Sequence, residues 1–125
     1  MNKLSKIETF LLDLDGTFYL GDQLYPWSLP FVNACERLHK RFIFVTNNSS
    51  QNGDHYVQKL RKMGVAITDK QVFTAGQATI FYLKKYDYPK RIYLLGTPAL
   101  EEEFRAAGFI LTEKDPEIVV LGFDL

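Results

Sequence analysis

Phe10-Leu11-Leu12-Asp13-Leu14-Asp15-Gly16-Thr17 joins a short apolar run to two acids, a glycine and a hydroxyl. That order predicts a buried strand which delivers polar groups at its carboxyl end. A second run of the same kind, Phe42-Ile43-Phe44-Val45, ends in Thr46-Asn47-Asn48-Ser49. Between them Phe31, Cys35, Leu38 and Phe42 recur at i, i+4, i+7 and i+11, the stripe of an amphipathic helix. Gly16 to Pro26 is rich in Gly, Asp and aromatics and reads as a loop or small hairpin.

Further along, Tyr56, Leu60 and Met63 mark a second helix, with Lys59, Arg61 and Lys62 near its end and Gly64 as its stop. A short strand over Val72-Phe73-Thr74 precedes a helix from Ala75 to Lys85 and a strand from Arg91 to Leu95. Thr97-Pro98 is an N-cap and first-turn pair for a helix carrying Leu100, Phe104 and Ala107, which Gly108 stops. Ile118-Val119-Val120-Leu121 is a last apolar strand. Strands alternating with helices predict an α/β fold with a parallel sheet.

Composition narrows the function classes. Among 125 residues, fifteen Lys and Arg balance fifteen Asp and Glu, 46% are apolar and 24% are charged. A chain of this size buries about two thirds of its open-chain surface, enough for a real core. Balanced charge removes the electrostatic case for nucleic-acid or membrane-surface binding. Cys35 is the only cysteine, so an intrachain disulfide and a Cys-rich zinc site are both excluded. The polar start from Met1 to Glu8 has no signal-peptide pattern, and no run approaches the ~18 apolar residues of a membrane span. A cytoplasmic, reducing setting is the expectation.

In open α/β sheets, reactive groups gather beyond the carboxyl ends of the strands. If the two polar-tipped strands are parallel neighbours, Asp13 and Asp15 meet Thr46, Asn47 and Asn48 at one edge. Carboxylates at i and i+2 suit a hard cation such as Mg²⁺, and the Thr46 hydroxyl with the Asn47 N–H suits phosphate oxygens. Together they describe phosphoryl transfer through an aspartyl-phosphate. The plainer reading is turn chemistry, because Asp and Asn also terminate strands without any site.

The first stretch, extended to Phe18-Tyr19, resembles the first signature motif of the haloacid dehalogenase (HAD) superfamily, and Phe42 to Ser50 resembles its second. Subfamily IIA, the NagD-like and 4-nitrophenylphosphatase group, is the nearer likeness. It rests on Tyr19-Leu20-Gly21, Thr46-Asn47-Asn48, Tyr56…Lys59-Leu60…Met63-Gly64, Leu95-Gly96-Thr97 and Val119-Val120-x-Gly122-x-Asp124, in this order. The resemblance implies a partial Rossmann-like HAD core over residues 1–75 and the first part of an α/β cap domain over 76–125. It makes Asp13 the nucleophile and a Mg²⁺ ligand, and Asp15 the acid/base, with its carbonyl on the metal. Thr46, Asn47, Asn48 and Gly16 become phosphate- or substrate-binding residues, Gly16 and Thr17 also shape the loop, and Phe18 to Tyr25 form a flap. The implied substrate is a small-molecule phosphate monoester of unspecified identity.

The resemblance also implies two groups that nothing in the chain fills: a third-motif lysine and a fourth-motif acidic pair. Lys114 and Asp115 precede the last strand, and Asp124 matches a cap position rather than a metal ligand. The expectation is an N-terminal portion of a phosphatase with little or no turnover alone. Competing readings are a non-catalytic phosphate- or partner-binding chain and a receiver-type phospho-acceptor module. The sequence further predicts surface positions for His39 and His55 and a core position for Cys35. It predicts a helix-start, solvent-facing role for Glu101-Glu102-Glu103, and packing of Tyr82, Tyr86, Tyr88 and Tyr93 against a sheet. An unpaired edge beside the Asp13 strand predicts self-association.

Overall fold

A computed structural model describes residues 3–123; Asp124 lies outside them. The chain divides into two compact units, residues 1–46 with 57–73, and residues 47–56 with 74–125.

The first unit opens with strand β1 (Thr9–Asp13), the hairpin β2 (Tyr19–Leu20) and β3 (Gln23–Leu24), helix α1 (Ser28–Arg37) and strand β4 (Arg41–Thr46). Helix α2 (Gly53–Lys62) crosses into this unit after its first turn, and β5 (Val72–Thr74) closes it. The sheet order is β1-β4-β5, and β1 pairs with β4 in parallel, Asp13 opposite Val45. Alternation along β4 buries Phe42, Phe44 and Thr46 on one face. There Phe44 meets Phe42 edge-on at 5.6 Å and Phe18 at 4.6 Å. The opposite face is open, with Leu11 68% exposed on the edge strand β1.

A helix stop at Gly64 and a hairpin within Gly16 to Pro26 fall where the sequence predicts them. Gly64 follows α2 at φ +88°, a left-handed conformation that costs other residues steric strain. The Phe18–Tyr25 segment is the small hairpin, anchored by the buried rings of Phe18 and Tyr19 and by the Ser28 hydroxyl donating to the Phe18 carbonyl at 2.5 Å. The α1 stripe differs from expectation. The helix ends at Arg37, so Leu38 is its exposed cap and Phe42 already belongs to β4. Ser28, Val32 and Cys35 are the buried positions, and burial pushes the Cys35 thiol above its ordinary value.

The second unit contains α3 (Ala75–Lys85), β6 (Arg91–Leu95), α4 (Pro98–Ala106), β7 (Ile110–Leu111) and β8 (Ile118–Leu121). Its sheet runs β7-β6-β8 with both pairings parallel. Ile92 packs with Leu83, Leu100, Phe104 and Phe109 to form the core, joined by Leu94, Ile118 and Val120. Thr74 caps α3 with a reciprocal pair, its hydroxyl accepting from the Gln77 N–H while the Gln77 side chain accepts from the Thr74 N–H. The register sets Tyr93 opposite Val119 and Leu95 opposite Leu121 on the other face of this sheet. That face is open, with Val119 68% and Leu121 75% exposed.

Two expectations fail in this unit. Tyr82, Tyr86, Tyr88 and Tyr93 are exposed instead of being packed against a sheet. Tyr82 stacks on Tyr88 and tilts against Tyr86 at the surface, because helix α3 turns Leu83 inward and leaves its neighbours outside. Of the three glutamates, Glu102 is exposed and Glu101 pairs with Arg105 at 2.9 Å, but Glu103 is half-buried. Its Oε1 accepts from the Gly53 N–H at 3.4 Å, and its buried Oε2 has no hydrogen-bond partner.

Desolvation raises the Glu103 carboxyl above its ordinary 4.5, the Gly53 N–H opposes this, and nearby Asp54 adds to it. Between 4.5 and the raised value the folded chain keeps a proton that the unfolded chain has lost. Its stabilising contribution is therefore complete below 4.5 and is lost as pH rises through the raised value. Glu103→Gln is expected to flatten this fall and to raise stability at neutral pH. Urea unfolding of both forms from about pH 4 to about pH 8 checks it, parallel curves being the contrary result.

Candidate active site

The geometry begins with the alternation at the end of β1. Leu14 is fully buried, so Asp13 and Asp15 on either side of it emerge into solvent. The Leu14 carbonyl accepts from the N–H groups of Thr17, Phe18 and Tyr19, and the Gly16 N–H donates to the Tyr19 carbonyl at 2.8 Å. These bonds wind residues 14–19 into a tight turn. Gly16 makes the turn possible with φ +79° and open space where a Cβ would stand. The Thr17 hydroxyl donates to Asp13 Oδ2 at 3.1 Å, which orients that exposed carboxylate. Sequence reasoning gave Thr17 only a loop-shaping role; the four-residue spacing across a glycine turn was the available signal.

Thr46 is the last residue of β4, one step beyond the Val45 that faces Asp13. Asp13, Asp15, Gly16 and Thr46 thus share the carboxyl edge of the first unit's sheet. Alternation puts Thr46 on the buried face with Phe44, while Asp13 follows Leu11 on the open face. Asn47 and Asn48 continue the chain from Thr46 and belong to the second unit. The Asn48 side-chain oxygen is engaged locally, accepting from the Ser50 N–H at 2.9 Å. His39 and His55 are both exposed, as the sequence predicts.

Among the described residues there is no group of three or more His, Cys, Asp or Glu side chains placed to hold a metal. Two adjacent carboxylates still match Mg²⁺, which is commonly held through one or two carboxylates, waters and substrate phosphate oxygens. No helix among the described residues is long and apolar enough to cross a membrane.

The paired aspartates lie beyond the end of a strand of a parallel α/β sheet, where open α/β proteins carry their sites, and the fold alone does not say what such a site acts on. The particular family follows from comparison. Residues 10–110 match the haloacid dehalogenase-like hydrolase family, and the chain belongs to it. It is similar to the 4-nitrophenylphosphatase of Thermotoga maritima, with 50% identity and a TM-score of 0.93 over 97% of this chain and 46% of that one. NagD from E. coli K-12 is similar at 26% identity and a TM-score of 0.84, over 94% of this chain and 46% of that one. Phosphoglycolate phosphatase 2 of Arabidopsis thaliana is 34% identical over 106 residues, 82% of this chain and 35% of its own length. 5'-Nucleotidase YutF of Bacillus subtilis is 29% identical over 92% of this chain and 45% of its own length. The chain spans less than half the length of these relatives.

Proposed function

We propose that the chain carries the nucleophile and acid/base of a Mg²⁺-dependent phosphatase for a small-molecule phosphate monoester. The observation that carries this reading is Asp13-x-Asp15-Gly16-Thr17 at the end of β1, beside Thr46 at the end of its parallel neighbour. The family and the phosphatase and nucleotidase names of its relatives support it. An Asp13 oxygen forms a bond to phosphorus as the ester P–O bond breaks, and Asp15 gives its proton to the departing alkoxide. Asp15 then takes a proton from water, whose oxygen attacks phosphorus and restores the Asp13 carboxylate with release of inorganic phosphate. Thr17, bonded to Asp13, holds the nucleophile's orientation, and Thr46 and the Asn47 N–H receive the phosphoryl oxygens. The Asp13 carboxylate and the Asp15 backbone carbonyl would hold Mg²⁺, which would supply charge neutralisation between carboxylate and phosphate.

A second reading has its own observation. The chain covers 46% of its 4-nitrophenylphosphatase relative, and the sequence resemblance matches none of its residues to the third-motif lysine and the fourth-motif acidic pair. Phosphate binding without turnover is then the property of these 125 residues. Mg²⁺-dependent release of 4-nitrophenol from its phosphate by this chain supports the phosphatase reading, and beryllofluoride binding without turnover supports the second. Both readings lose ground if neither occurs. Self-association is part of the proposal, because β1 is an edge strand and two sheet faces expose apolar side chains. Light scattering is expected to show the mass rising with concentration; a constant monomer mass would contradict it.

A further inference from the structure

Lysines and arginines in the last turn of a helix mostly face water, and at the end of α2 both Arg61 and Lys62 do so. Lys59 differs. Its side chain is only 23% exposed and lies on the β2–β3 hairpin of the same unit. The ammonium nitrogen stands 4.2 Å from the centroid of the Tyr19 ring, and Tyr19 is fully buried. A cation is held more firmly on a desolvated ring than on an exposed one. The same ammonium lies 3.7 Å from a carboxylate oxygen of Asp22 in the hairpin turn. That carboxylate is 96% exposed, so water screens the pair and the ring is the main partner.

Tyr19 is also the residue on which the turn after β1 closes. Its carbonyl accepts the Gly16 N–H at 2.8 Å, its N–H donates to the Leu14 carbonyl at 3.3 Å, and its backbone bridges to that of Asp15. Leu14 and Tyr19 are both fully buried, so a bond lost to either carbonyl leaves an acceptor without water to replace the donor. These two residues fix the ends of a turn whose exposed middle is Asp15, Gly16 and Thr17. Whatever seats the Tyr19 side chain therefore seats the far end of that turn.

We propose that Lys59 is a positioning residue whose ammonium, seated on the Tyr19 ring, holds the turn that carries Asp15, Gly16 and Thr17. Its geometry lies wholly within the first unit, and its consequence for chemistry rests on the phosphate-site reading above. The lysine acts through Tyr19 and not on the substrate.

The test compares Lys59→Met and Lys59→Arg with the unmodified 125-residue chain in two measurements. One is amide exchange at Gly16 and Tyr19; the other is beryllofluoride affinity in the presence of Mg²⁺. Methionine keeps an apolar stem and removes the charge, whereas arginine keeps a cation that can lie on the ring. Lys59→Met is expected to speed exchange of both amides about fivefold, to leave the amides of β4 at their own rates, and to weaken beryllofluoride binding about fivefold. Lys59→Arg is expected to restore both, which a role in packing alone would not produce. Unchanged exchange at Gly16 and Tyr19 in Lys59→Met overturns the inference, as does unchanged affinity or an equal loss in Lys59→Arg. Exchange that quickens equally throughout β4 also overturns it, because the lysine would then support the whole unit and not the turn. Failure of the unmodified chain to bind beryllofluoride overturns the phosphate-site reading, and the exchange comparison then decides by itself whether Lys59 holds the turn.

Discussion

Asp13→Asn is expected to eliminate the phosphorylated form of the protein at its natural length, and Asp15→Asn to make that form accumulate. The contrast follows from where each group acts. An amide at position 13 is a poor nucleophile and carries no charge for a metal. The P–O bond to the protein then never forms, and turnover should fall by more than about 10⁴-fold, the scale on which removal of a nucleophile acts. In the proposed mechanism position 15 is used twice as a proton carrier. A 4-nitrophenolate leaving group departs without a proton, so Asp15→Asn spares the first step for that substrate. Water attack still lacks its base, and the second step should slow by about 10²–10⁴-fold. Acid-quench trapping with labelled aryl phosphate reads both variants. Equal labelling of Asp13→Asn and the unmodified protein would remove Asp13 from the role.

The second large effect lies in the second unit. Phe104 is fully buried at the centre of a core made by Leu83, Ile92, Leu100 and Phe109, with its ring 5.6 Å from Phe109. Phe104→Ala is expected to cost about 3–5 kcal/mol, from lost transfer energy and the cavity that so small a core cannot close. That is most of the stability of a unit this size. Trp27, the only tryptophan, belongs to the first unit and stacks on Tyr25 at 4.7 Å. In urea, far-ultraviolet circular dichroism should therefore show an early transition that Trp27 fluorescence does not share. Coincident transitions shifted together would mean that the two units unfold as one.

Much of the architecture was legible because local chemistry and tertiary packing agree. Residues 75–85, 91–95 and 118–121 are the helix and strands that their patterns predict. Gly108 ends its helix at φ +92°, and Thr97-Pro98 starts one. Disagreement appears where a residue type serves two environments. Leu38 continues a helical stripe in sequence yet lies past the helix end, so it faces water. Ile110-Leu111 is too short to show a period, and its pairing with β6 comes from the sheet. The surface tyrosines read as packed against a sheet because aromatic content alone does not say which side of an element is covered.

For the site, the sequence alone determined the residue types and their spacing: carboxylates at 13 and 15, a glycine that turns the chain at 16, and a hydroxyl at the end of the next strand. Those are covalent and local properties, readable wherever the chain goes. Tertiary structure decided which strand lies beside which, and so that Asp13 and Thr46 share an edge. It bonded Thr17 to Asp13, left Glu103 half-buried with a raised carboxyl, and drew Ser49 and Ser50 to Phe123 and Thr97. These partners are separated by up to 74 positions. No periodicity or propensity links residues that far apart, because only packing of the folded chain brings their atoms within hydrogen-bond reach.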